Sequence, residues 1–287
     1  MGKYTDILKE YKFNLSDEEI KNEIQKLQPK VNKETLKLLF GCMDFTFLNT
    51  TDNASHVKKI TEKLNAFENE FNEMPNVAAV CAYPSLIQPL RKYLTVNDIA
   101  IASVAGGFPS AQTFIEVKIA ETALAVAEGA QEIDVVMSIG KFLEGKYDEV
   151  GEELEEIKHS CREAKLKVIL ETEVLTSADI YKASLIAMYA GANFIKTSTG
   201  KLSVGATPEA AYIMCRSIAD FYKKTNLEVG FKASGGVATT SDAVIYYAIA
   251  ENILGKERVN RNLFRIGASR LANNLLSNIY EKTIVFF

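Results

Sequence analysis

Apolar and polar positions along this chain follow two alternating rhythms. Short β-rich runs are each followed by a longer stretch with apolar residues at helical spacing. The short runs predict eight strands: Cys42–Phe47, Ala78–Ala82, Ile99–Val104, Glu132–Val136, Lys167–Thr172, Asn193–Thr197, Gly230–Ala233 and Phe264–Gly267. The longer stretches predict helices over Ala111–Glu128, Glu152–Ala164, Ala178–Ala190, Pro208–Lys224 and Ser241–Ile253. In the first of these, Ile115, Ile119, Thr122 and Val126 fall on one stripe. Thr207 before Pro208 is a helix start, a capping hydroxyl followed by proline at the first helical position. Strand and helix alternating eight times predict parallel βαβ units closing into a (β/α)8 TIM barrel. An open doubly wound sheet is the alternative. It usually has fewer strands and a nucleotide fingerprint, and no Gly-x-Gly-x-x-Gly opens a helix here.

Residues 1–39 precede the first strand and form an N-terminal helical arm; residues 40–287 make the barrel. In the arm, Ser16-Asp-Glu-Glu19 has the capping-box pattern, with Ile20, Ile24 and Leu27 at helical spacing behind it. The arm is expected to close the bottom of the barrel or to pack on its side. No linker splits the chain.

Composition narrows the function. The chain has 287 residues, 47% apolar and 24% charged, with a net charge of −4. That balance offers no basic face for nucleic acid and no polybasic membrane anchor, and no apolar run approaches a bilayer span. Cys42, Cys81, Cys161 and Cys215 are widely spaced, as expected of reduced thiols in a cytoplasmic protein. His56 and His159 lie in polar helical stretches, so no histidine cluster is set to hold a catalytic metal. The apolar tail Thr283–Phe287 is expected to be covered, by the barrel or by a partner subunit, and a homodimer is compatible with it.

Chemistry enters with two lysines in parallel contexts. Lys196 ends the sixth apolar run and Lys232 the seventh, each followed by small, polar and glycine residues. In a barrel, active-site groups lie towards the C-terminal strand ends, and side chains alternate in and out. Lys196 then shares a face with Phe194 and Ser198, Lys232 with Gly230 and Ser234, and Asp134 with Glu132 and Val136. Two neighbouring buried ammonium groups disfavour each other's charge, which leaves an amine able to attack a carbonyl. The iminium so formed is an electron sink, and a carboxylate such as Asp134 can move the protons. The bland alternative is a pair of lysines ion-paired at the barrel rim.

Glycine-rich turns follow the last three strands: Thr199-Gly200-Lys201, Ser234-Gly235-Gly236 and Gly267-Ala-Ser269-Arg270. Such turns let the backbone approach an anion, and together they suit a phosphate. Asp44, Thr46 and Asn49 at the end of the first strand are polar where a substrate hydroxyl would sit; Asp44 could equally cap the following loop. Cys81 near the same mouth reads as packing. Lys167 and Glu171 share one face of the fifth strand, as a buried ion pair or a proton relay. Phe114 and Phe221 read as core.

At these residues the chain resembles the deoxyribose-phosphate aldolase family of class I (Schiff-base) aldolases. The resemblance runs from roughly Asp44 to Arg270. It is carried by Met43-Asp-Phe-Thr-Phe-Leu-Asn49, Glu132-Ile-Asp-Val-Val136, Val168-Ile-Leu-Glu-Thr172, Phe194-Ile-Lys-Thr-Ser-Thr-Gly-Lys201, Ala206-Thr-Pro-Glu209, Gly230-Phe-Lys-Ala-Ser-Gly-Gly-Val237 and Arg265-Ile-Gly-Ala-Ser269. It implies reversible cleavage of 2-deoxy-D-ribose 5-phosphate to acetaldehyde and D-glyceraldehyde 3-phosphate, without metal or organic cofactor. It further implies that Lys196 is the Schiff-base lysine, Lys232 its neighbour and Asp134 the acid/base group. Lys201, Gly235, Gly236 and Ser269 fall where the family holds phosphate. Many members read Lys-Pro-Ala-Gly-Gly-Val-Arg at the second lysine; here Ala238 replaces the arginine, while Ser234 adds a hydroxyl and Arg270 a charge. Well-known members end in a tyrosine, whereas this chain ends Ile284-Val-Phe-Phe287. The residues alone leave open a Schiff-base aldolase for another substrate, or a sugar-phosphate binder without turnover.

Overall fold

The structure is a computed structural model that describes residues 2–29 and 31–287; Met1 and Lys30 lie outside it. Eight parallel strands close into a barrel in sequence order: β1 Met43–Thr46, β2 Ala79–Ala82, β3 Ala100–Ala105, β4 Glu132–Val136, β5 Lys165–Ile169, β6 Phe194–Lys196, β7 Gly230–Ser234 and β8 Phe264–Ala268. β8 pairs back onto β1, with Asp44 beside Gly267. Every expected strand is present and the open sheet is excluded. The runs are apolar on both faces because helices cover the outside while side chains fill the inside. Phe45, Val80, Ile133, Val168, Ile195, Phe231 and Ile266 point outward into the main core beneath the helices.

The helical stretches are also present, with shifted ends. Tyr147–Ser160, Ser177–Tyr189, Pro208–Thr225 and Thr240–Leu254 replace the expected limits by a few residues. The Thr207 hydroxyl accepts from Ala210 N, as its place before Pro208 requires. The helix after the third strand starts at Ile115 rather than Ala111. Ala111 has φ 56° and belongs to the loop. Its buried stripe is Lys118, Thr122 and Ala125. Phe114, expected in the core, caps this helix with 77% of its surface exposed, whereas Phe221 is core as expected.

The arm packs on the side of the barrel. Tyr4 is buried; its hydroxyl donates to Glu155 at 2.7 Å, and its ring occupies a socket that a Cβ on Gly151 would fill. Phe13 packs on Tyr181, and helix Asp17–Gln25, with its capping box formed, lies on Pro208–Thr225. Helix Lys33–Gly41 crosses the expected boundary at 39 and packs on Leu271–Tyr280. The C-terminal tail lies on its own barrel: Phe287 packs on Phe45 and Phe67, and Asn273 holds the last two backbone N–H groups. Among the described residues, no helix is long and apolar enough to cross a membrane.

Two inward positions depend on the absence of a side chain. A Cβ on Gly230 would stand 2.3 Å from the Phe194 ring, and one on Gly267 would stand 2.7 Å from Ser234 Oγ. Alanine normally suits a strand better than glycine, but at 230 it forces the Phe194 ring to move. Gly230→Ala is therefore expected to cost about 1–3 kcal/mol in urea unfolding. Unchanged or greater stability would show that the ring has somewhere to go.

Candidate functional site

The inner wall of β4 to β8, together with Asp44 of β1, carries seven ionisable side chains, all buried. Three are carboxylates: Asp44, Glu132 and Asp134. Four are bases: Lys167, Lys196, Lys232 and Arg265. Strand register brings them together, since Lys196 pairs with Lys232, Lys232 with Arg265 and Asp134 with Lys167. Asp134 Oδ2 accepts from both Lys196 Nζ and Lys232 Nζ at 2.8 Å, while Oδ1 lies 3.1 Å from Lys167 Nζ. Lys167 also reaches Asp44 at 2.9 Å and Glu132 at 2.6 Å. Lys232 has Asp44 as its second carboxylate, and Arg265 pairs with Asp44 and with both oxygens of Glu132.

This sharing is uneven. Lys167 has three carboxylates, Lys232 and Arg265 two each, and Lys196 only Asp134, which it shares. If all seven groups were charged, the interior would hold one positive charge in excess; it balances when one base is neutral. Burial opposes charge on every one of them. For Lys232 and Lys167 the neighbouring carboxylates overcome burial and raise the pKa, Lys167 well above its ordinary value. For Lys196, burial together with the nearby Lys232 outweighs Asp134, and the pKa is lowered. Burial would raise the three carboxylates, but the cations hold all of them below their ordinary range. The arrangement therefore favours the charged form of the three carboxylates and of Lys167, Lys232 and Arg265, and leaves Lys196 as the base whose charge is least supported.

Two expectations need correction. Asp44 is neither at the mouth nor a loop cap; it is mid-wall, fully buried and tied to Lys167, Lys232 and Arg265. Nor do Lys167 and Glu171 face one way. The strand ends at Ile169, and Glu171 has φ 53°, which turns its carboxylate to accept from Thr199 N at 3.0 Å and Thr199 Oγ1 at 2.6 Å. Glu173 similarly accepts from Val204 N and Gly205 N. Two carboxylates after β5 thus hold the loop after β6, a role that reading the strands alone did not show. Arg265 and Glu132 were also missed as partners, although a charge at an inward position of an apolar run is their visible signal.

Above the network lies a cavity of about 200 Å3. It is lined by Thr46 at the end of β1 and Asn49 after it, Thr199, Gly200 and Lys201 after β6, Gly235 and Gly236 after β7, and Gly267 and Ser269 at the end of β8. Every substrate-binding candidate except Asp44 is on this wall. The loops meet backbone to backbone: Gly235, at φ 88°, leaves only 3.0 Å between a Cβ position and Gly205 Cα. Ala238 and Arg270 line the same cavity from neighbouring loops, and the Arg270 side chain makes no ion pair among the described residues. The Lys201 ammonium spans the mouth to the Leu48 carbonyl. The four cysteines are buried and unpaired among the described residues; burial pushes the Cys81 thiol up to about 11, so it stays neutral.

The family model described as DeoC/LacD family aldolase matches residues 39–270. A protein of Bos taurus named deoxyribose-phosphate aldolase is 41% identical over 84% of this chain and 79% of its own length. One of Homo sapiens with the same name is 39% identical over 83% and 79%. The tetrameric deoxyribose phosphate aldolase of Aeropyrum pernix superposes with a TM-score of 0.67, covering 92% of this chain and 98% of its own, at 23% identity. At that identity it speaks for the barrel fold alone.

The charge balance yields a pH prediction. Reductive alkylation of Lys196 by a small aldehyde requires the neutral amine, so its rate should fall as pH drops through a pKa below that of ordinary lysine. Lys232→Met removes the repelling ammonium and leaves Asp134 to Lys196, so the inflection should move to higher pH. Peptide-resolved alkylation rates across pH test this; an unmoved or lower inflection would mean that Lys232 does not tune the amine.

Proposed function

The chain belongs to the DeoC/LacD family of aldolases, and we propose that Lys196 is the covalent amine of its active site. The reaction is the reversible cleavage of 2-deoxy-D-ribose 5-phosphate to D-glyceraldehyde 3-phosphate and acetaldehyde. One observation carries the assignment of Lys196: of the four bases inside the barrel, it is the one left with a single, shared carboxylate.

In the cleavage direction, neutral Lys196 Nζ adds to the C1 carbonyl of the open-chain sugar, and the carbinolamine loses water to an iminium. Electrons can reach that iminium only from the bond at the adjacent carbon, so C2–C3 breaks. The C3 hydroxyl gives up its proton, through water, to the Asp134–Lys232 pair, and C3 becomes the carbonyl of glyceraldehyde 3-phosphate. The two-carbon enamine takes a proton at C2, and water releases acetaldehyde and regenerates the amine. Asp134, 2.8 Å from both amines, is placed to pass protons between them. Asp44 acts by holding Lys232 charged. No residue of the described arm lines the mouth cavity.

The mouth cavity suits the 5-phosphate. Lys201, now on the Leu48 carbonyl, would turn to the phosphate, and Arg270 supplies the charge that Ala238 lacks. A cytoplasmic location is supported by four unpaired buried thiols. The tail is covered by its own barrel, so a homodimer draws no support from it.

Borohydride reduction in the presence of acetaldehyde should leave a two-carbon adduct on Lys196, located by peptide mass mapping. Lys196→Met should form no adduct and lose turnover by several orders of magnitude. An adduct on another residue would sink the assignment. Lys201→Met should raise KM for deoxyribose 5-phosphate roughly 10- to 100-fold with little change in kcat, matching the loss of one charged hydrogen bond. Cleavage of unphosphorylated 2-deoxyribose should be unaffected; equal losses on both substrates would remove Lys201 from the phosphate site.

A further inference from the structure

The inner wall of the barrel is divided. The ionic groups belong to β4–β8 and Asp44, and the phosphate-sized cavity opens over the ends of β1 and β6–β8. The remaining sector is apolar. Cys81 and Val104 form one cluster with Leu48, and Val136 and Ile169 form another. Phe108, from the loop after β3, packs against both clusters. This sector starts beside the reactive groups: Ile169 is the register partner of Lys196, and Val104 that of Asp134.

The loop that carries Phe108 is held in place. Gly107 N donates to Glu121 at 2.9 Å, and Ala111 N closes back onto Gly107 O. The Tyr83 ring meets Phe108 edge-on, with centroids 6.2 Å apart, and the Tyr83 hydroxyl donates to the Leu48 carbonyl. Phe108 is thus a braced roof over the apolar sector, half-buried itself.

At the end of the sugar opposite the phosphate, the C1 oxygen leaves as water when the iminium forms. After cleavage, the fragment left on the amine is a two-carbon unit with no oxygen. It cannot be solvated by the ionic wall, whose groups are occupied with one another, and the three-carbon phosphate fills the opposite side. We propose that Phe108 is a specificity-determining residue: it roofs the apolar sector that receives the two-carbon unit and limits the length of the donor aldehyde. This rests on Lys196 as the covalent amine.

The test uses the full chain in the aldol direction, with D-glyceraldehyde 3-phosphate as acceptor and acetaldehyde or propanal as donor. A single methylene in an apolar pocket is worth roughly 10- to 200-fold in discrimination. Phe108→Ala should raise kcat/KM for propanal relative to acetaldehyde at least about tenfold within that range. Phe108→Leu should give a smaller rise in the same direction. KM for glyceraldehyde 3-phosphate should stay the same in both, which a general loosening of the barrel would not permit. Borohydride trapping from an equal mixture of the two aldehydes gives a readout independent of turnover, and the three-carbon adduct on Lys196 should gain. Melting curves identify folded variants; if the alanine variant does not fold, the leucine variant decides. An unchanged donor ratio in a folded variant, with the wild type trapping acetaldehyde on Lys196, overturns the role of Phe108 alone. A wild type that traps nothing on Lys196 overturns the Schiff-base reading and this inference with it.

Discussion

Seven ionisable groups are buried inside one closed sheet, and their charges must balance there against one another. Each ion removed from solvent costs several kcal/mol, which is recovered only where opposite charges meet closely. Three carboxylates can serve three cations well. The fourth base is the one placed where its only carboxylate is already shared, so its charged form has least support. On the proposed assignment, the reactive amine is a consequence of how a crowded ionic interior reaches neutrality, not of a special property of one lysine.

Neutrality also depends on space. Gly230 makes room for the Phe194 ring, over which the Arg265 guanidinium lies at 5.5 Å, and Gly267 leaves room for the Lys232 stem and Ser234. On the other side, Ala79, Cys81 and Ala102 keep the wall thin and uncharged. The result is an interior with one ionic side and one apolar side, and the amine stands where they meet. A substrate with a phosphate at one end, and at the other a two-carbon unit that loses its oxygen on joining the amine, matches that division. On the proposed reading the phosphate belongs towards the loops, outside the buried network, where Lys201 and Arg270 are exposed.

Much of this was legible in the residues because it is local. The β and helical periods report burial directly, so eight strands and the barrel could be read off. Lys196 and Lys232 stood out because a lysine at the end of an apolar run has no cheap explanation, and a repeated one even less. The loop residues at the mouth followed from strand order alone. What could not be read depended on partners far away in the chain. Asp44 looked like a mouth residue because its pairs lie 123 to 221 residues on, at Lys167, Lys232 and Arg265. Lys167 and Glu171 look alike under a period of two, but the period stops at Ile169 and a left-handed residue turns Glu171 away. Phe114 is apolar, yet at a helix N-cap it projects beyond the sheet's cover.

The same balance bears on the reaction itself. With Lys196 as the covalent amine, an iminium returns to the interior the positive charge that the free amine had given up. The carboxylates that would welcome it are already shared with Lys167, Lys232 and Arg265, whose charges repel it. Breaking C2–C3 passes an electron pair into the iminium and leaves a neutral enamine, while the C3 hydroxyl proton carries the excess charge away from the amine to the Asp134–Lys232 pair. Fixed neighbours that cannot reorganise make this difference larger than water would. The repulsion that lowers the pKa of the free amine thus acts a second time, in favour of the neutral enamine. For the reverse reaction, the enamine is the best-accommodated state on Lys196, held against the apolar sector until an acceptor aldehyde arrives. One unpaired charge, kept out of the interior at rest and admitted only as an intermediate, links the fold's stability to the direction in which electrons move.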